Sequence, residues 1–199
     1  MSAERLDRQL QFLLEIDRLK QVERQTAITA GTRRENTAEH SWHLAMYALI
    51  LHEWSDADVD IAHVLALCLV HDIVEIDAGD TFAYDVIAYA DKEVRERAAA
   101  ERLFGLLPDD QGRRLHDLWE EYEAQATAES RFANAVDRLQ PAMLNHHADG
   151  ASPWKRHGVT VSQAVNRLSP IGDGSMALWE RTQSIIAEAV RRGNLVEES

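Results

Sequence analysis

Residues 71–77 read "HDIVEID". His71 is followed at once by Asp72, and Glu75 comes one helical turn later. On an α-helix His71 and Glu75 share a face, and Asp72 lies about 100° around from both. An imidazole and a carboxylate so placed can approach one ion from neighbouring directions. The second carboxylate then stands within reach of a water on that ion. The stretch closes an apolar run, "IAHVLALCLV", where an unpaired carboxylate is costly. Something must neutralise it. For a lone His-Asp pair the simplest neutraliser is an internal ion pair or a helix cap. Two more stretches shift that balance. "ENTAEHSWH" sets His40 in the first turns of a helix, and "NAVDRLQP" sets Asp137 among Ala135, Val136 and Leu139. Together His40, His71, Asp72 and Asp137 supply two imidazoles and two carboxylates. That set suits one divalent ion with positions left for water, among manganese, cobalt, iron, zinc or magnesium.

The elements that must hold these residues read as helices almost throughout. Leu6, Leu10, Leu13, Leu14, Ile16 and Leu19 mark one apolar face of a first helix, and "TAITAGTRR" reads as a loop. Asn36 with Glu39 forms a capping-box pattern, predicting a helix from there to about Trp54. Asp58 or Asp60 opens the next helix, which reaches "HDIVEI" before the loop "DAGDTFAYD". "DKEVRERAAAERLFGLL" is an amphipathic helix stopped by Pro108. "GRRLHDLWEEYEAQ" and "AESRFANAVDRLQPAMLNHH" give two more, and "SMALWERTQSIIAEAVRRG" closes the chain with Gly193 as its stop. "ADGASPW" and "SPIGDGS" are breaks. No period-2 strand is evident. The expectation is one all-α domain over residues 1–199, a bundle of about seven or eight helices.

Composition narrows the partners. The chain has 199 residues, 45% of them hydrophobic, and a net charge of -13. Such a charge argues against polymeric nucleic acid and against an anionic membrane. A small anionic substrate stays compatible, because a metal and a few arginines reverse the field locally. "MSAERLDRQL" lacks the apolar segment of a signal peptide. The longest apolar run, "VLALCLV", is far too short to span a membrane. The single cysteine, Cys68, reads as packing in a reducing compartment, so a cytoplasmic protein is expected.

The order H…HD…D, set in the blocks "LKQVERQT", "RRENTAEHSWH", "HDIVEIDAGD" and "DRLQP", resembles the HD-domain metal-dependent phosphohydrolases. The resemblance is to the branch of the bacterial 5'-deoxynucleotidases and the HD-domain-containing protein 2 type, and it covers about residues 10–165. It implies metal ligation by His40, His71, Asp72 and Asp137, and a catalytic role for Glu75. It implies that Asp80 lies near the substrate sugar and that Arg24 contacts the phosphate, with Arg33 another arginine close to the site. It also implies a homodimer. In the deoxynucleotidase type a Trp follows the phosphate-binding Arg and helps exclude a ribose 2'-hydroxyl. Here the position is Gln25, so the resemblance carries phosphatase chemistry without the deoxyribose preference.

The resemblance thus implies hydrolysis of a phosphomonoester, with a nucleoside 5'-monophosphate as leading substrate. Three other functions fit parts of the pattern. A two-iron oxidase of this fold needs more histidines between the HD pair and the last Asp, and only His116 lies there. A non-catalytic nucleotide-sensing module and a phosphodiesterase keep the same ligands. Of the remaining histidines, His43 reads as a support for His40, and His147 as the cap of its helix. Trp154 reads as a core anchor or pocket wall, and "WEEYEAQATAE" as a solvated acidic face.

Overall fold

The computed structural model describes residues 2–29, 33–85, 90–148 and 152–198. Its helices in chain order are α1 (Ala3–Glu15), α2 (Thr37–Leu51), α3 (Ile61–Val70), α4 (Glu75–Ala78), α5 (Lys92–Phe104), α6 (Asp109–Ala124), α7 (Ala128–His147), α8 (Pro153–Arg156), α9 (Val161–Leu168), α10 (Ile171–Gly174) and α11 (Met176–Arg191). Eight of these, among the described residues, run two turns or more. The all-α reading holds. Parts of the expected loop at "TAITAGTRR" and of the expected break at "ADGASPW", residues 30–32 and 149–151, lie outside the described residues.

α7 is the axis of the fold and packs against α2, α3, α6, α10 and α11. It starts from a reciprocal cap. Ser130 N donates to Thr127 Oγ1 and Thr127 N donates to Ser130 Oγ, each at 3.1 Å. Its buried positions run from Ser130 to His146 and include Phe132, Val136 and Leu139. Leu44 of α2, Val64 and Leu67 of α3, and Leu103 and Phe104 of α5 complete the core. Burying a side chain of this size contributes about 1.5–3 kcal/mol, so the helices that carry the polar site are held by the apolar layer beneath it.

α2 begins at the predicted capping box. Glu39 N donates to Asn36 Oδ1 at 3.0 Å, and Asn36 N donates to Glu39 Oε2 at 3.2 Å. It ends at Leu51 in a 3-10 turn, His52–Trp54. α3 is capped by Asp60, whose Oδ1 accepts from Ala62 N at 2.9 Å.

The structure corrects the sequence reading in four places. A small antiparallel sheet is present: β1 (Glu23–Ala27) pairs with β2 (Arg34–Asn36), with an irregular register between Glu23↔Asn36 and Ala27↔Arg34. Its strands are short, poor in β-branched residues and without alternating burial, so no period-2 signal exists to be read. The leucines of α1 do not face the core. Leu6 and Leu14 are 55% and 76% exposed, and Phe12 is the buried residue of that helix. The acidic run on α6 is not uniformly solvated, because Trp119 and Tyr122 are buried within it. Finally, α3 does not continue through "HDIVEI". After His71 N bonds Leu67 O, the ladder shifts to Ile73 N→Val70 O and Glu75 N→Asp72 O, which are three-residue steps. At about three residues per turn, Glu75 is rotated off the His71 face. Gly79, at φ 75°, ends α4 in a conformation that favours glycine.

Candidate metal centre and active-site cavity

The break after α3 aims its side chains by hydrogen bonds. His71 Nδ1 lies 2.9 Å from Cys68 O. A carbonyl can only accept, so Nδ1 carries the proton and Nε2 is the basic nitrogen. His40 is fixed in the same sense from α7. Gln140 Nε2 donates to Glu35 Oε1 at 2.7 Å, which sets the amide orientation and leaves Gln140 Oε1 facing His40 Nδ1 at 3.0 Å. His40 Nδ1 is therefore the donor and Nε2 again the basic nitrogen. His43 belongs to this support, since Gln140 Nε2 lies 3.1 Å from His43 Nδ1. His147 caps α7 as read, with Nδ1 2.8 Å from Met143 O.

Both basic nitrogens point at carboxylates. His40 Nε2 lies 2.9 Å from Asp137 Oδ1 and 3.7 Å from Asp72 Oδ2. His71 Nε2 lies 3.1 Å from Asp72 Oδ1 and 3.8 Å from Asp137 Oδ1. Donor atoms of His40, His71 and Asp72 fall within 4.8 Å of one another. His71 Nε2 is buried without a hydrogen-bond partner. Lone pairs from two imidazoles and two carboxylates thus converge, and the one donor that reaches them, Arg24 Nη1 on Asp72 Oδ2, leaves His71 Nε2 bare. Only a cation satisfies such an arrangement, and the N and O donors fit a divalent transition ion. His40, His71, Asp72 and Asp137 could hold it. Without one, the site draws in a proton. Burial alone would lower the His71 pKa, but Asp72, Asp137 and Glu75 outweigh it and push it up to about 9. Burial likewise opposes ionisation of Asp137, and the His40 side chain 2.9 Å away overrides it, holding that carboxyl well below its usual range.

The polypeptide supports Asp137 in an unusual way. Pro141 lies inside α7, four residues on. It has no N–H, so the Asp137 carbonyl loses its helical donor.

A cavity of about 280 Å³ opens on these groups and is lined by Arg24, Asp72, Glu75, Asp80 and Asp137, among others. Arg24 arrives on β1, the strand the sequence reading missed. Its Nη1 donates to Asp72 Oδ2 at 3.1 Å and lies 3.7 Å from Asp80 Oδ1, while its Nε faces Glu35 Oε2 at 3.7 Å. Glu75 is 6% exposed, and its Oε2 accepts from Thr37 Oγ1 at 2.9 Å. Burial, then Asp72 and Asp80, hold the Glu75 carboxyl well above the usual range against the pull of Arg24 and Thr37. Burial also raises Asp80, although Arg24 opposes it. Among the described residues six carboxylates and four cationic side chains line the cavity. The acidic excess again calls for a cation.

Arg33 is corrected. It makes two 2.7 Å hydrogen bonds to Glu39 at the surface and does not line the cavity. The exposed carboxylate of the capping box is nearer than the site and captures it. The cations that do line the cavity beside Arg24 are Lys92, Arg138 and Arg167. Tyr122 was also missed. Its ring centroid is 4.6 Å from that of His71, and its hydroxyl is buried without a hydrogen-bond partner. Trp154 is a wall of the cavity, 1% exposed, with Nε1 donating to Tyr84 OH at 3.1 Å.

Helices that bring one histidine, a His-Asp pair and a distant Asp together in one buried cluster are the mark of the HD fold. The chain belongs to the HD domain family, whose model matches residues 16–179. Among its relatives, the 5'-deoxynucleotidase HDDC2 of Xenopus laevis is 36% identical over 186 residues, covering 92% of this chain and 91% of that protein. A crystal structure described as a predicted metal-dependent phosphohydrolase from Magnetospirillum magnetotacticum superposes with a TM-score of 0.92 at 52% identity, covering 97% of this chain and 96% of the other. A conserved hypothetical protein from Pyrococcus furiosus shares the fold, with a TM-score of 0.65 at 22% identity over 92% of this chain and 99% of that one.

Proposed function

We propose that this protein is a metal-dependent phosphomonoester hydrolase acting on nucleoside 5'-monophosphates. The observation that carries the reading is the convergence of His40, His71, Asp72 and Asp137 on a cation position, with Glu75 and Arg24 in the same cavity. The names of the relatives, 5'-deoxynucleotidase and predicted metal-dependent phosphohydrolase, support it.

A divalent ion held by the four ligands supplies Lewis acidity, drawing charge from a phosphoryl oxygen and acidifying water. The remaining work falls to the chain. Glu75 has one oxygen anchored by Thr37 and a carboxyl that burial holds well above the usual carboxylate range. It takes the proton of the attacking water and returns one to the leaving oxygen. Arg24 offsets charge on the phosphoryl group, and its contact with Asp72 fixes its head before substrate arrives. Asp80 accepts from a sugar hydroxyl. Gln25 lines the cavity, and its carbonyl and Oε1 accept from Arg156 Nη2 at 2.9 and 3.3 Å. An amide at that position leaves room and polarity for a ribose 2'-hydroxyl.

The same reading covers the rest of the molecule. The enzyme works as one domain over residues 1–199, with one ion, in the cytoplasm. No described helix is long and apolar enough to cross a membrane. It acts as a homodimer, which the exposed Leu6, Leu10, Leu13 and Leu14 of α1 support as a face for a second copy.

The test is phosphate release from ribo- and deoxyribonucleoside 5'-monophosphates by metal-stripped protein with single ions restored. Release that requires the ion is expected, with similar rates for the two sugars and little turnover of bis(p-nitrophenyl) phosphate. Folded protein that releases no phosphate with any ion overturns the reading.

A further inference from the structure

α7 presents one continuous stripe to the cavity: Asn134, Asp137, Arg138, Pro141 and Asn145, all of which line it. The spacing is that of one helical face. Asp137 belongs to the ion position, and Asn134 Oδ1 is taken by Arg138 Nε at 2.6 Å. Asn145 is different. It is 6% exposed, and its Oδ1 is buried without a hydrogen-bond partner. A buried amide left bare in a native fold calls for an explanation, since nearly all such groups are paired. Pro141 and Ala142, one turn before it on the same helix, also line the cavity, as do Leu168 and Trp154.

Eight residues separate Asp137 from Asn145, about 12 Å along the helix axis. That is close to the span from the phosphorus to the outer edge of the base of an extended 5'-nucleotide. A side-chain amide offers one donor and one acceptor side by side, the pattern found on the edge of a nucleobase. It carries no charge, so a second phosphate is a poor match. The apolar members of the lining, Pro141, Leu168 and Trp154, suit the face of a flat ring.

We infer that Asn145 is the nucleobase-binding residue of this cavity, an inference that rests on the nucleotide reading above. The amide can turn over to exchange its donor and acceptor. It therefore detects that a base is present more than which base it is.

The experiment compares a nucleoside 5'-monophosphate with deoxyribose 5-phosphate, which lacks the base. Affinities for the metal-free protein are read by calorimetry, and KM values for the metal-loaded protein by phosphate release. Asn145→Ala raises the ratio of nucleotide to sugar-phosphate Kd, and of the two KM values, about tenfold. Asn145→Asp turns the edge into two acceptors and skews preference towards guanine, whose N1–H and 2-amino group both donate. Asn145→Leu, which removes a bare amide without opening a void, melts no lower than the parent. Ratios unchanged in the folded Ala variant overturn the assignment, as does a fall of several degrees in Tm for the Leu variant. If the parent binds nucleotide but releases no phosphate, the hydrolase reading alone fails, and Asn145 is judged on the Kd ratio.

Discussion

Replacing Gln140 by Leu removes a side chain that touches neither ion nor substrate, and it should still cripple the site. Gln140 is fully buried and serves three partners: His40 Nδ1, Glu35 Oε1 and His43 Nδ1. Leucine has a similar volume, so the packing loss is small. The cost lies in the partners left behind. Each buried polar group deprived of its bond costs about 1–3 kcal/mol, and a charged one more. Glu35 Oε2 is already without a hydrogen bond, so losing the bond to Oε1 strips that carboxylate further. The metal-free variant should lose on the order of 3–6 kcal/mol of unfolding free energy in urea. A second effect is separable. His40 Nδ1 then faces only Glu35 Oε2 at 3.7 Å, beyond hydrogen-bond reach, so the ring can rotate or take the other tautomer. Removing such a support costs about 10–100-fold in metal affinity, or roughly 1.4–2.7 kcal/mol. Chelator competition measures this on the folded variant below its transition. A Kd within twofold of the parent would refute the argument that Gln140 sets the His40 tautomer.

Two further expectations follow from the same geometry. Glu75→Gln keeps its place beside Thr37 and should bind the ion normally, yet lose about 10²–10⁴ in kcat; an unaltered rate in ion-replete protein would remove Glu75 as the proton carrier. In the metal-free protein His71 titrates at about 9 instead of its ordinary 6.5. A raised folded pKa gives stability that is complete below the unfolded value and disappears as pH climbs through the folded one. Metal-free stability should therefore fall between pH 6.5 and about 9, while apparent metal affinity rises over the same window, because the ion no longer displaces a proton. Affinity flat with pH, measured with a buffered chelator, would contradict this.

The candidate ion ligands were legible because their chemistry conflicts with their surroundings. Asp137 stands alone in an apolar helical stretch and Asp72 closes another, so each asks for a partner wherever the chain folds. Gln140 and Glu35 gave no such signal. They are 105 positions apart, and an amide or a glutamate is ordinary on a helix or at a turn until the fold buries it. Tyr122 was hidden by its acidic neighbours. Arg33 misled in the opposite direction: it lies beside a recognisable block, but Glu39, six residues away, is within its reach. The strand bearing Arg24 escaped because its position depends on pairing with β2 and not on any pattern of its own.

Pro141 has a mechanical consequence. Bending α7 at Asp137 meets one backbone hydrogen bond fewer than in an unbroken helix, because the bond from residue 141 to the Asp137 carbonyl is missing. A shift of the carboxylate by a few tenths of an ångström is therefore opposed less than at other positions of α7. Ligand distances range from about 2.0–2.1 Å for magnesium or zinc–nitrogen to about 2.3–2.6 Å for calcium. An axis helix that is stiff at its ends and compliant at the ligand lets one site close around ions of different radius without disturbing the core that holds it.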